Sequence, residues 1–450
     1  MASLHRIASL VLVASAVTGC TKSTAPRGAP PSRAGAIDDD VTVGSALDQE
    51  LLHDVPALRQ RELESYVGAI LAKVAEGAAP VPQRWTLRLL DTSHVSIRSG
   101  PGGFVYVTRG LLAWLGNEAE LAAALAHEIA HVSRRHWRGQ AEFLIAHGIE
   151  DGDLDKLERK ARLELLSRLR AEELEADQLA LGYLERAGYD RRGLVRVIEL
   201  FSDLEREAGG VRIPAALRTH PDAAARLRAI GTRGRSGGTL RAREYLTRIE
   251  GLVFGEDPRD GYLFGERYVV PNADFELTLP GAWRARLIGR DLMAALPGRG
   301  TVALVARSEH GTLQGTERAL NPGAPFVEEK RAEYRVRSAR TEAEGGLVSL
   351  TYIFDTPGAP LVLAVVLPGR EEHAPEIESL LAGARRIQDP ALARVGPLRV
   401  RVTTLGTSTT LRKLFESNPP HTSLATFALV NGVAPDQLLP TGSIVKRIDP

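Results

Sequence analysis

The chain has 450 residues, with 57 Lys and Arg against 56 Asp and Glu, 44% hydrophobic residues and 25% charged ones. A balance this even, with both signs interspersed, argues against a nucleic-acid surface, and length alone sets an expectation of about three domains. Cys20 is the single cysteine, so an intrachain disulfide is excluded.

At the N-terminus His5 and Arg6 precede an apolar run, Ile7 to Val17. The run is too short to span a bilayer and has the length of a signal-peptide core. It ends Val17-Thr18-Gly19-Cys20, which resembles a bacterial lipoprotein box. The resemblance implies a signal peptide over residues 1–19 and a lipid on Cys20; a plain secretory signal with a chance cysteine is the competing reading. Residues 20–45, rich in Pro, Gly, Ala and Ser, read as a flexible tether.

Helical patterning then runs from Ala46 to about Ile230, interrupted by two strands, Trp85 to Leu90 and Phe104 to Thr108. The second strand follows a Pro101-Gly102-Gly103 turn signal and precedes the helix described next. That position makes Phe104, Val105, Tyr106 and Val107 candidates to pair with an extended substrate backbone; an ordinary core strand is the alternative. The following helix has Asn117 as N-cap with Glu120 three residues on, and Leu121, Leu125, Ile129 and Val132 along one apolar face. It carries His127-Glu128-Ile129-Ala130-His131. Residues four apart share a helix face, so both imidazoles can offer a nitrogen to one ion. Glu128 stands beside them, placed to take a proton from a water that zinc acidifies toward a pKa of ~7. A chance match on a surface helix is the alternative.

A second helical stretch runs from about Asp153 to Ala187, with Gly188 in the position of a C-terminal stop. Glu173 and Asp177 share one of its faces. If this helix crosses the first, Glu173 reaches the metal and Asp177 accepts the second ring N–H of a ligand histidine, fixing its tautomer. Glu172 and Glu175 read as a solvated face, and His136 and His147 as surface or capping residues.

The pair His-Glu-x-x-His and Glu-x-x-x-Asp, in the setting Arg170-Ala171-Glu172-Glu173-Leu174-Glu175-Ala176-Asp177, resembles the gluzincin metallopeptidases related to HtpX, BepA and the CAAX prenyl proteases. Three further segments agree: Gly102 to Leu112 before the first helix, Ala187-Gly188-Tyr189-Asp190 after the second, and Thr219-His220-Pro221 followed by Arg226. The resemblance covers residues 46 to 250. It implies zinc endopeptidase activity with His127, His131 and Glu173 as ligands and Glu128 as general base. The chain departs from the family pattern at Leu169, where serine is common, and in a short span between His131 and Glu173.

His220, before Pro221, sits near a helix N-cap, which a capping role explains. Two functional readings compete with it. His220 on a loop hinged at Gly209-Gly210 would act as a latch occupying the fourth zinc position, or it would donate a hydrogen bond to the transition state. Arg226 is a second candidate for that donor.

After a Gly- and Arg-rich joint near residues 231–238 the pattern changes. Residues 255–390 hold short alternating runs, Phe275 to Leu279, Thr301 to Val305, Leu347 to Phe354 and Leu361 to Leu367, then one helix, Glu372 to Ile387, and read as an α+β domain without a catalytic constellation. Residues 396–450 show a strand, two short helices and a strand, an order that resembles a LysM peptidoglycan-binding module. The expected fold is therefore α+β and multidomain: a mainly helical zincin domain (46–250) with a small sheet, an α+β accessory domain, and a LysM-like βααβ unit. The expected protein is a Zn2+-dependent, lipid-anchored envelope endopeptidase on the periplasmic face of the outer membrane, cleaving unfolded or unassembled envelope proteins. Two alternatives are a metal-binding scaffold or chaperone of outer-membrane assembly, and a cell-wall-binding lipoprotein. An intact Glu128 weighs against the scaffold, since a structural zinc site has no use for a base there.

Overall fold

The computed structural model describes residues 33–78, 84–148, 158–207, 223–231, 237–308, 310–320, 324–343, 346–368 and 375–450. The signal core, Cys20, Gly209-Gly210 and His220 lie outside the described residues. Two compact units are present: one comprises residues 29–52, 56–254 and 398–450, the other is formed chiefly by residues 255–397.

The first unit begins with helix α1, Arg33–Asp54. The tether expected over residues 20–45 is thus helical from Arg33 onward. Tertiary contacts override its loop-like composition: the buried Asp40 pairs with Arg135 at 3.1 Å and Arg138 at 2.6 Å, and the buried Asp48 with Arg88 at 2.8 Å. Gly44 lies so close to the Pro101 carbonyl that a Cβ there would stand 2.0 Å from its oxygen. Helix α2, Arg61–Ala75, buries Leu63, Val67, Ile70, Leu71 and Val74.

Three short strands follow, β1 (Thr86–Leu90), β2 (Ile97–Gly100) and β3 (Phe104–Thr108). They form a sheet in the order β1-β3-β2, β3 parallel to β1 and antiparallel to β2. This arrangement overturns the expectation that Phe104, Val105, Tyr106 and Val107 receive a substrate. Strand β3 is central, laddered on both sides, and all four side chains are buried. The edge strand on the β2 side is Ile97–Gly100.

Helix α3, Arg109–Trp114, leads into α4, Glu118–Arg134, which is buried at every position from Glu118 to Ala130. Its N-terminus closes as the sequence indicates. The Asn117 side chain accepts from the Glu120 backbone N–H at 3.0 Å, and Glu120 reaches back to the Gly116 N–H at 2.6 Å. Glu118, in the first turn where the helix dipole favours a carboxylate, accepts from the hydroxyls of Tyr66 at 2.6 Å and Tyr189 at 2.7 Å. Helices α5 (His136–Ala146), α6 (Arg159–Arg186), α7 (Arg192–Glu207), α8 (Ala223–Ile230) and α9 (Ala242–Ile249) complete the helical portion of this unit. Gly188, at φ +72°, stops α6 as anticipated. Gly193 lets α7 approach the first turn of α4, where a Cβ would meet the Ala119 carbonyl oxygen at 2.3 Å.

The second unit carries β4 (Tyr262–Phe264), β5 (Arg267–Val270), β6 (Phe275–Thr278), β7 (Arg284–Ile288), β8 (Asp291–Leu296), β9 (Thr301–Arg307), α10 (Leu313–Leu320), β10 (Val327–Arg331), β11 (Tyr334–Ala343), β12 (Leu347–Phe354), β13 (Leu361–Pro368), α11 (Pro375–Ala382), β14 (Ala384–Arg385) and α12 (Pro390–Ala393). Seven strands form an antiparallel sheet in the order β10-β11-β12-β13-β9-β8-β7, and four more run β14-β6-β5-β4. A core of Tyr268, Phe275, Trp283, Tyr334, Phe354 and aliphatic neighbours fills this unit. The α+β character is as expected; helices α10 and α12 are additional to the one helix expected, which is α11 and gives way to β14 at Ala384.

The chain then returns to the first unit with β15 (Arg399–Thr404), β16 (Thr409–Thr410), α13 (Leu411–Ser417), α14 (Leu424–Asn431), β17 (Leu438–Leu439) and β18 (Ile444–Asp449). The strand-helix-helix-strand order is the expected one, with β15 antiparallel to β18. Its separateness is not. Val400 and Ile448 belong to the same buried cluster as the helices of the first unit, and the backbone of residues 251–254 bonds to Leu398 and Val400. Lys446, 1% exposed, donates from Nζ to the carbonyls of Ala113 at 3.1 Å, Trp114 at 2.8 Å and Leu115 at 2.7 Å. These carbonyls end α3, just before the N-cap of α4. Residues 398–450 therefore belong to the same compact unit as the helices, contrary to the division read from the sequence, although Leu405, Leu411, Phe427, Leu439 and Val445 form a small core of their own.

Lys446→Met removes those three bonds and leaves the carbonyls buried, which should lower unfolding stability in urea by about 2–4 kcal/mol. An independently folding C-terminal module would leave the transition of the helical core in place, and that result would contradict the assignment.

Candidate metal centre

Helices α4 and α6 pack against each other so that His127 and His131 of the first face Glu173 and Asp177 of the second. The two Nε2 atoms of His127 and His131 are 3.0 Å apart. Glu173 Oε2 lies 3.4 Å from His127 Nε2, and Glu173 Oε1 3.3 Å from His131 Nε2. These three residues form the one cluster among the described residues that could hold a metal ion. A tetrahedral zinc with nitrogen and oxygen ligands at about 2.0–2.2 Å sets neighbouring donors about 3.3–3.6 Å apart. The two histidine–glutamate spacings, 3.3 and 3.4 Å, fall in that range, and the two imidazole nitrogens, 3.0 Å apart, would move apart slightly to hold such an ion. The donor types, two imidazoles and one carboxylate, are those of catalytic rather than structural zinc.

Each donor is anchored. Asp177, fully buried, accepts from His127 Nδ1 at 3.0 Å, the orienting contact expected from sequence. Arg226 of α8 donates Nε to Asp177 Oδ2 at 2.8 Å and Nη2 to Asp177 Oδ1 at 2.7 Å, while its Nη1 lies 3.1 Å from Glu173 Oε2. With its donors so committed, Arg226 orients the ligands; the structure does not aim it as a donor to a transition state. On the other flank, His136 Nδ1 lies 2.8 Å from His131 Nδ1, and His136 Nε2 3.3 Å from Glu175 Oε2. His136 is buried, and Glu175 pairs with both His136 and Arg134, so neither has the plain surface role read from sequence. His147 does cap its helix, with Nδ1 2.8 Å from the Phe143 carbonyl.

The electrostatics follow from burial set against these partners. Burial and the Arg226 charge push the His127 pKa down, but its hydrogen bonds to the Asp177 and Glu173 carboxylates outweigh them and the net shift is upward. At His131 burial wins, and the pKa falls despite Glu173. Burial would raise the Asp177 carboxyl, yet the Arg226 and His127 hydrogen bonds hold it below the usual carboxylate range. Asp177 thus stays anionic wherever the histidines can ligate.

Glu128 lies outside the donor trio. It is buried, and its Oε2 accepts from the Ser99 hydroxyl at 2.7 Å. Ser99 sits on the edge strand β2, so one side chain ties the candidate base to that edge. The short segment Ile97-Arg98-Ser99-Gly100 has no apolar alternation to announce it as a strand. The helix bearing the histidines ends at Arg135, in the left-handed region at φ 55° and ψ 41°, which costs a non-glycine residue roughly 1–2 kcal/mol. The ion pair with Asp40 holds it there.

Two histidines one helical turn apart and a glutamate from a crossing helix thus form a cluster that could hold a metal ion, with a separate buried carboxylate beside it. Residues 57–151 and 154–233 match the model of Peptidase family M48. This chain carries a peptidase family M48 domain. Among curated proteins it is similar to the putative beta-barrel assembly-enhancing protease of Vibrio cholerae, 24% identical over 204 residues, 41% of this chain and 42% of the relative. The beta-barrel assembly-enhancing protease of Escherichia coli is 24% identical over 205 residues, with the same coverage of 41% and 42%. The mitochondrial metalloendopeptidase OMA1 of Schizosaccharomyces pombe is 29% identical over 175 residues, 37% of this chain and 51% of the relative. The chain thus spans about half the length or less of these relatives.

Proposed function

We propose that this protein is a zinc-dependent endopeptidase that hydrolyses misfolded or unassembled cell-envelope proteins. The observation that carries the reading is the convergence of His127, His131 and Glu173 beside a buried Glu128 that is not one of the three donors. Zinc held by the three would acidify a water and polarise the scissile carbonyl. Glu128 takes the proton of the attacking water and returns it to the leaving amine. Ser99 holds Glu128 in place, Asp177 with Arg226 orients His127, and Glu173 balances the imidazoles with a negative charge.

Substrate recognition falls to strand β2. It forms one edge of the sheet, it carries the residue that contacts the base, and an extended peptide can add to such an edge by main-chain hydrogen bonds, which suits substrates of varied sequence. Ile97 of the same strand lies against a small recess that Leu194, Val197, Phe201 and Arg226 line beside His127.

The envelope assignment is supported by the signal-like run ending at Cys20 and by relatives named for beta-barrel assembly. No helix among the described residues is long and apolar enough to cross a membrane. The proposed anchor is a lipid on Cys20, holding the enzyme at the periplasmic face of the outer membrane. The test is incubation of the purified protein with an urea-unfolded outer-membrane protein, with and without a chelator. Chelator-sensitive fragments support the reading; an intact substrate with zinc bound would favour the scaffold alternative. Cys20→Ser should move the protein to the soluble periplasmic fraction, and a variant still membrane-bound after high-salt washing would defeat the lipid anchor.

A further inference from the structure

We propose that His136 is a positioning residue of the metal centre: oriented by Glu175, its imidazole fixes the tautomer and ring plane of His131. The inference rests on the zinc reading above and adds to it a second anchor, of a different kind from the Asp177–Arg226 pair.

One arrangement of protons suits His131 as a ligand through Nε2. Glu175, as a carboxylate, only accepts, so His136 carries its proton on Nε2, 3.3 Å from Glu175 Oε2. A neutral His136 then has a lone pair on Nδ1, which accepts from His131 Nδ1–H at 2.8 Å. With its proton on Nδ1, His131 turns the lone pair of Nε2 toward His127 Nε2, 3.0 Å away, and Glu173 Oε1, 3.3 Å away. The two rings stand nearly perpendicular, at 78°, so the hydrogen bond also sets the rotation of the His131 ring. Arg134 Nε, 2.7 Å from Glu175 Oε1, holds the far end of the chain of contacts.

The backbone explains how His136 reaches this place. In an unbroken helix a residue five positions on is rotated by about 140° and faces away from His131. The left-handed Arg135 breaks α4 there and starts α5, folding His136 back onto the His131 ring. Asp40 pairs with Arg135 and Arg138, and Gln140 donates to Glu172 of α6 at 2.6 Å, so the turn is held from two sides. The strain at Arg135 thus has a use at the metal.

The experiment measures zinc affinity of the full chain by competition with a chromophoric chelator, for the wild type, His136→Phe, His136→Asn and Glu175→Ala, with Glu173→Ala as the ligand-loss control. Thermal unfolding of each metal-free protein is recorded beside it. His136→Phe should bind zinc about 10–100-fold more weakly, the loss typical of removing a ligand's hydrogen-bond partner. His136→Asn, whose Oδ1 occupies the place of Nδ1 and accepts in its stead, should recover most of that loss. Glu175→Ala should weaken binding by about 2–10-fold, less because its carboxylate is half exposed and water can replace it. A Phe variant within twofold of the wild type, or equal losses in Phe and Asn, overturns the proposal; if His136→Phe does not fold, an unchanged affinity in Glu175→Ala overturns it instead. A wild type that binds no zinc would refute the zinc reading itself and is distinguishable from all of these.

Discussion

Glu128→Gln should leave zinc bound at near-unit stoichiometry while turnover falls by about 10²–10⁴-fold, the share usually supplied by a positioned general base. The geometry makes the substitution clean. Glu128 is not among the three donors, so the metal keeps its ligands. Glutamine has the same shape, and its amide oxygen can still accept from the Ser99 hydroxyl that now bonds Glu128 Oε2 at 2.7 Å. What disappears is the capacity to accept and return a proton. Proteolysis close to the wild-type rate in a zinc-loaded Glu128→Gln protein would contradict the mechanism.

Glu173→Ala should abolish metal binding and activity together. It removes one of three ligands and also a partner of Arg226, which lies 3.1 Å from Glu173 Oε2 in a buried setting. Glu175→Ala, two residues away on the same helix, should keep its zinc through dialysis and lose only part of its affinity, because Glu175 touches the site through His136 and its side chain is 43% exposed. Metal content measured after dialysis against a weak chelator separates the two. The reverse order of loss would mean that α6 presents the other carboxylate to the ion.

The centre was legible in the sequence wherever one helix fixed the spacing. His127 and His131 share a face by helical period, as do Glu173 and Asp177, and the Asn117–Glu120 cap marks the start of α4 through local hydrogen bonds. Gly188 marks the end of α6 for an equally local reason. What depended on chain reversal was not legible. His136 meets His131 only because Arg135 adopts a left-handed conformation that no local residue type announces. Ser99 reaches Glu128 from a four-residue strand, and β3 became central only through a parallel pairing with β1 across an intervening strand. Lys446 met α3 across more than three hundred residues of sequence. In the second unit, β12 and β13 were readable as apolar runs, whereas β10 (Val327-Glu328-Glu329-Lys330-Arg331) is too charged to stand out: it is an edge strand whose side chains are largely solvated.

The most direct test of the central claim is anomalous diffraction at the zinc absorption edge from crystals of the zinc-loaded protein. A single strong peak about 2.0–2.2 Å from His127 Nε2, His131 Nε2 and a Glu173 oxygen is the predicted result. A peak elsewhere on the chain, or none in crystals whose protein carries stoichiometric zinc, would contradict it.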